Sequence, residues 1–244
     1  MKMKTLLCCS LAFACALSVS AQSSRRGARN SREAAQEKMD EKVQISQMPN
    51  IGPQSLLVAP SLQAQGGSQP ITKSRRQWGV YEMTYRTAQK WTEDLTVNWF
   101  VLCDTSKAKQ KDKSKTAARL PPYVYYTLVT RYVNIPDGDH RACVCLPPSF
   151  IERYGEPVVI SCEIVTAEGK LLTGETVVSG FSAVKAGKFT EETKDRAEWW
   201  NIDEIINRKD RKTGDALIEI RQGLVDRSKS PFYLVNNADY EAIQ

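Results

Sequence analysis

The chain has 244 residues, a net charge of +6 and a single histidine. One histidine excludes a histidine-rich metal centre, and so modest a positive excess, spread over segments poor in apolar residues, points away from sequence-specific nucleic-acid binding. The length suits one domain with extensions.

Residues 1–21 read as a cleavable secretory signal peptide. Lys2 and Lys4 precede an apolar run from Leu6 to Leu17, and Val19-Ser20-Ala21 supplies small residues for a cut. The apolar run is shorter than the roughly 20 residues a membrane-spanning helix needs. No later run is longer, so no membrane-spanning segment is expected in the processed chain. Export, to the periplasm, outer membrane or cell surface, is the expectation. It places Cys103, Cys143, Cys145 and Cys162 in an oxidising compartment.

Residues 22–74 read as a flexible basic extension. Arg25, Arg26, Arg29 and Arg32 open it, residues 31–42 favour a short helix with almost no apolar stripe, and Pro49, Gly52, Pro53, Pro60 and Pro70 punctuate the rest. From residue 75 the texture becomes that of strands. Residues 78–85 are aromatic and β-branched. In 94–103, Leu95, Val97, Trp99, Val101 and Cys103 alternate onto one face, as a half-buried strand requires. Residues 104–120, with lysines at 107, 109, 111, 113 and 115, read as a mobile Lys-rich loop.

Strands are predicted at 123–135 and 140–146, joined by a turn at Pro136-Asp137-Gly138-Asp139. A short helix over 149–154 should end on Gly155. Strands at 158–165 and 170–179 form a hairpin-like pair. Residues 180–215 are polar apart from an amphipathic piece at 197–207, and short strands follow at 216–220 and 231–235. No fixed-period repeat is visible. Six or seven strands with short turns and minor helices, without βαβ alternation, indicate a mainly β, antiparallel sandwich over 75–244.

The chemistry is sparse. His140 is the only histidine that a nucleophilic triad could use, and it follows a turn. Glu152 with Glu156, or Asp203 with Glu204, has no spacing that forces a shared substrate. No nucleophile elbow, phosphate-binding loop or calcium loop occurs. No enzyme activity, cofactor or metal is therefore expected. Cys103 and Cys162 fall on apolar strand faces, either as a disulfide between strands or as buried thiols. Cys143 and Cys145 lie two apart on one strand face and cannot easily bridge each other. Trp199, Trp200 and Tyr125, with its neighbours Tyr123 and Tyr126, are candidates for a partner- or glycan-stacking platform, against the plainer reading of core aromatics.

Several strings carry a resemblance: Trp91-Thr92-Glu93-Asp94-Leu95-Thr96-Val97 leading to Trp99-Phe100-Val101-Leu102, then Tyr132-Val133-Asn134-Ile135-Pro136-Asp137-Gly138-Asp139-His140. Leu146-Pro147-Pro148-Ser149-Phe150-Ile151-Glu152-Arg153-Tyr154-Gly155, the Trp199-Trp200 pair, Gly223-Leu224-Val225 and Ser230-Pro231-Phe232 follow. In this order they resemble a secreted verrucomicrobial family that includes an Akkermansia outer-membrane protein encoded in a type IV pilus-like gene cluster. The resemblance covers about residues 76–235. It implies an immunoglobulin-like sandwich, related in shape to pilin-type surface proteins, and a role in a surface or secretion assembly. Unlike pilins, the chain has no prepilin-like cut followed by a long apolar helix. No catalytic residue carries over.

The expected function is that of a noncatalytic, exported cell-envelope protein making protein–protein contacts with other envelope or pilus-assembly proteins. The alternative is a carbohydrate-binding module for mucus or cell-wall glycans. No nucleic-acid partner is expected.

Overall fold

Two very long strands organise the molecule, and their alternating side chains explain why. The computed structural model describes residues 43–60, 76–111 and 120–233. The signal peptide, the helix expected at 31–42 and the end of the chain after 233 lie outside the described residues. In chain order the strands are β1 (Val43–Gln47), β2 (Leu56–Val58), β3 (Gln77–Asp104), β4 (Tyr123–Leu146), β5 (Glu156–Thr166), β6 (Leu171–Val178), β7 (Gly187–Phe189), β8 (Ile218–Arg221) and β9 (Val225–Asp226).

β3 and β4 pair antiparallel along almost their whole lengths, from Asp104 opposite Tyr123 to Gly79 opposite Leu146. The register slips between Thr87 and Trp91, so that Ala88, Gln89 and Lys90 oppose the single residue Asp137. Asn134 and Gly138 both take positive φ there, 56° and 123°. This bulge folds the hairpin over. The first half of β3 carries β1 and β2 on its free side, and the second half carries β5, β6 and β7. The two layers of the sandwich are thus halves of one continuous nine-stranded sheet.

Alternation in both halves points the same way, into the space between the layers. Tyr81, Met83 and Tyr85 meet Leu95, Val97, Trp99, Val101 and Cys103 there, joined by Ala142 and Val144 of β4 and by Ile160, Cys162 and Ile164 of β5. All are buried, as the period-two pattern requires. The Trp99 indole N–H finds its partner inside this core, donating to Thr130 Oγ1 at 3.1 Å. The short helix Pro148–Tyr154 closes on Gly155 as expected, whose N–H donates to the Ile151 carbonyl at 2.9 Å. Only glycine fits there. Its φ is 85°, and a Cβ would stand 1.9 Å from the Asp104 carbonyl oxygen.

The mainly β, immunoglobulin-like sandwich with short helices is the fold observed, and several details differ from the sequence reading. Pro136–Asp139 is not a turn between two strands; it is the bulge within one. Val43 and Ile45, placed in the flexible extension, are core residues of a strand paired with Tyr85 and Thr87. The sheet is mixed, because β8 runs parallel to β4 while every other pair is antiparallel. The start of the Lys-rich loop, Ser106–Lys111, is helical: the Lys109 N–H donates to the Thr105 carbonyl at 2.9 Å, and the Ser106 N–H donates to Asp104 Oδ1 at 2.8 Å; residues 112–119 lie outside the described residues. The strand expected at 231–235 is a turn where described, over Pro231–Tyr233.

Candidate interaction edge

Each layer has an outer face, and both are covered by chain from the C-terminal third. On the first layer Cys143 and Cys145 point outward beneath Phe232, with Trp78, Val80 and Val225 around them. On the second, Phe100, Leu102, Tyr125 and Val159 are covered by Val184, Phe189, Trp199, Trp200 and Ile218.

The candidate stacking platform of Trp199, Trp200 and Tyr125 is therefore not available. Their exposures are 1%, 8% and 7%. Trp199 donates its indole N–H to Ser161 Oγ at 2.8 Å, and that hydroxyl bonds Thr176 Oγ1 at 2.7 Å. Trp200 lies flat on Phe100 with ring centres 3.8 Å apart, and Tyr125 meets Trp199 edge-on at 5.3 Å. These rings fasten the covering segment to the sheet, which is why two adjacent tryptophans can both be buried.

The disulfide reading also fails on register. Cys103 and Cys162 share the inner face of the second layer, but Cys162 stands opposite Trp99, whereas Cys103 stands opposite Pro157. Four residues of strand separate them, about 13 Å at the usual rise, well beyond disulfide reach. All four described cysteines are free and buried, and burial raises the thiols of Cys103 and Cys162 far above their ordinary range. They behave as small apolar residues. Cys143 and Cys145 lie side by side as expected. A hydrogen bond between their thiols, together with burial, pushes Cys143 up.

His140 packs against Tyr85 with the rings tilted by 36° and their centres 5.5 Å apart, and its Nε2 lies 2.9 Å from the Pro136 carbonyl oxygen, so it belongs to the bulge. Glu152 sits on the Pro148–Tyr154 helix, ion-paired with Arg76, while Glu156 begins β5. Asp203 and Glu204 open the short helix Asp203–Ile206. The structure brings none of these acids to His140. Among the described residues no three His, Cys, Asp or Glu side chains converge to hold a metal ion. Among the described residues one acid is buried, Glu163 on the outer face of β5. Burial raises its carboxyl above the ordinary range, opposed by Asn98 Nδ2, which donates to it at 3.3 Å.

What stands out instead is a margin of the sheet. On the side of β4 away from β3, β8 pairs with Tyr123–Tyr126 and β9 with Val144 and Cys145. Among the described residues nothing pairs with this side of β4 in between. The stretch Thr127-Leu128-Val129-Thr130-Arg131-Tyr132-Val133 has the β-branched and aromatic composition of a good pairing strand. Its outward side chains are Thr127, Val129 and Arg131, with Val129 60% exposed. Arg131 Nε donates to Asp94 Oδ2 at 2.8 Å, which holds the Asp94 carboxyl below its usual range and leaves Val129 uncovered. Ile220, on β8, adds a second exposed apolar side chain at the head of the same margin. The opening exists because β8 is only four residues long. After it the chain turns through Gly223, where a Cβ would stand 2.7 Å from both Phe150 and Tyr126, and crosses to the other layer. The sequence marked 127–133 as strand but gave no sign that it would lie on an edge, since edge position is decided by where β8 stops.

The fold and this margin define a protein of the immunoglobulin-like sandwich class with an accessible strand edge. A family model matches residues 35–244, and the chain belongs to that family, in keeping with the resemblance its strings carry. A crystal structure of a protein from Akkermansia muciniphila is similar in fold, with a TM-score of 0.53 and 14% identity over 83% of this chain and 93% of that one. No curated protein matches the chain.

Proposed function

We propose that this protein is a noncatalytic, exported component of the cell envelope that works by protein–protein contact within a pilus-like or secretion assembly. The observation that carries the reading is the stretch Thr127–Val133 of β4, whose free side pairs with none of the described residues. An open edge presents a row of backbone donors and acceptors that an extended segment of a partner can complete, with side-chain pockets setting the choice of partner. Membership of that family supports an envelope setting, and residues 1–21 supply the route out of the cytoplasm. Described residues include no helix long and apolar enough to cross a membrane, so attachment through partners fits this role.

A photo-crosslinking residue placed at position 129 in living cells tests the reading, with a second at Glu168, in the exposed β5–β6 turn, as the reference. A discrete adduct with another envelope protein from position 129 alone is the expected result, lost when Arg131→Ala and Thr127→Lys are combined to alter the edge. Identical adducts from both positions, or none from either, would reject it. Mass spectrometry of the released protein should find Gln22 at its N-terminus.

A further inference from the structure

At the opposite margin of the second layer from β8, beside β7, the covering segment forms an open pocket of about 360 Å3. Its floor is apolar: Phe189 and Trp199 come from the outer core, and Ile205 from the short helix Asp203–Ile206 forms one wall. Three cations line it, Lys185, Lys188 and Arg196, and no aspartate or glutamate does. Among the described residues none of the three makes a salt bridge. The Lys188 ammonium is directed away, donating to the Ile45 carbonyl of β1 at 3.2 Å. Lys185 and Arg196 are exposed at the rim. Elsewhere on this segment cations and acids are interspersed, as in the Lys194–Glu191 pair, with N and O 2.6 Å apart. A pocket with one sign of charge at its mouth and hydrocarbon at its base has complementary chemistry in one class of ligand.

We propose that this cavity binds a small amphiphilic anion, with the apolar body against Trp199, Phe189 and Ile205 and a carboxylate or similar head group between Lys185 and Arg196. The volume falls within the range of about 300–1,000 Å3 common for small-molecule sites. Cations beside an apolar floor attract an anion more strongly than the same charges in open solvent. The site is independent of the β4 edge and stands or falls without it.

Calorimetric titration of the processed protein with decanoate, decan-1-ol and decyltrimethylammonium separates the contributions. Decanoate is expected to bind with one-to-one stoichiometry, the alcohol to bind about tenfold more weakly, and the ammonium not to saturate. Combining Lys185→Gln with Arg196→Gln should weaken decanoate by about tenfold without shifting the melting temperature, since both side chains are exposed. Ile205→Glu, which puts an acid in the wall, should weaken it as well. Equal binding of the alcohol and the carboxylate, no loss in the double variant, or no saturable binding of decanoate would overturn the assignment.

Discussion

Between the two layers, regular strands bury one side chain in every two, and each element brings its own share of the core. Outside the second layer the covering chain has scarcely any regular structure: one three-residue strand, two four-residue helices and turns. It is held by a few large anchors, with Trp199 bonded to Ser161 and Trp200 stacked on Phe100. The first region spreads its stability over many alternating positions. The second concentrates it in two rings, and so can come away without taking the sheet with it.

Truncating an anchor in each region puts that contrast to the test. Trp99→Ala should cost about 3–5 kcal/mol in urea unfolding followed by far-ultraviolet circular dichroism, with the whole domain losing stability together. Trp199→Ala should act locally: trypsin should cut readily at Lys185, Lys188 or Arg196 while the strand signal survives. Trp199→Phe, which keeps a ring but loses the bond to Ser161, should cost about 1 kcal/mol. If Trp199→Ala instead abolished the strand signal, the cover and the sheet would have to be regarded as one cooperative unit.

A smaller effect concerns pH. Because burial raises the Glu163 carboxyl, the native state still holds a proton at pH values where the unfolded chain has released it. Its contribution therefore favours folding at low pH and declines as pH rises from the ordinary carboxylate range through the raised native value. Glu163→Gln, which keeps a neutral acceptor for Asn98, should flatten that decline when melting temperature is followed from pH 4 to 8. An unchanged slope would place the carboxyl in a wetter setting than the outer face of β5 provides. The smallest effect is a null one: a reducing agent should leave the melting temperature unmoved, and alkylation after denaturation should label Cys103, Cys143, Cys145 and Cys162.

The same division explains what could be read from the amino-acid order. Leu95, Val97, Trp99, Val101 and Cys103 declared their face because a strand buried on one side writes a period of two into its sequence. Gly155 declared the end of its helix because only glycine tolerates that backbone. The bend was hidden, since Pro136-Asp137-Gly138-Asp139 looks locally like a turn, and only pairing with residues some fifty positions earlier makes it a bulge. β1 was hidden because Val43 and Ile45 are two apolar residues in a polar setting, too few to show alternation. The accessible edge and the cationic cavity were invisible for a related reason. Each depends on where a covering strand or segment happens to stop, which is a property of the assembled sheet.

One consequence of the folded-over hairpin concerns how the chain reaches this state. β3 and β4 come together over the shortest stretch of intervening chain at Asp104 and Tyr123 and over the longest at Gly79 and Leu146. Closing short loops first costs less entropy, so pairing should start at the near end and run through the bulge, as a zip fastener follows a curved seam. The second layer's strands should therefore pair before those of the first, and refolding should be slow, on the order of milliseconds to seconds, as for other chains dominated by distant pairings.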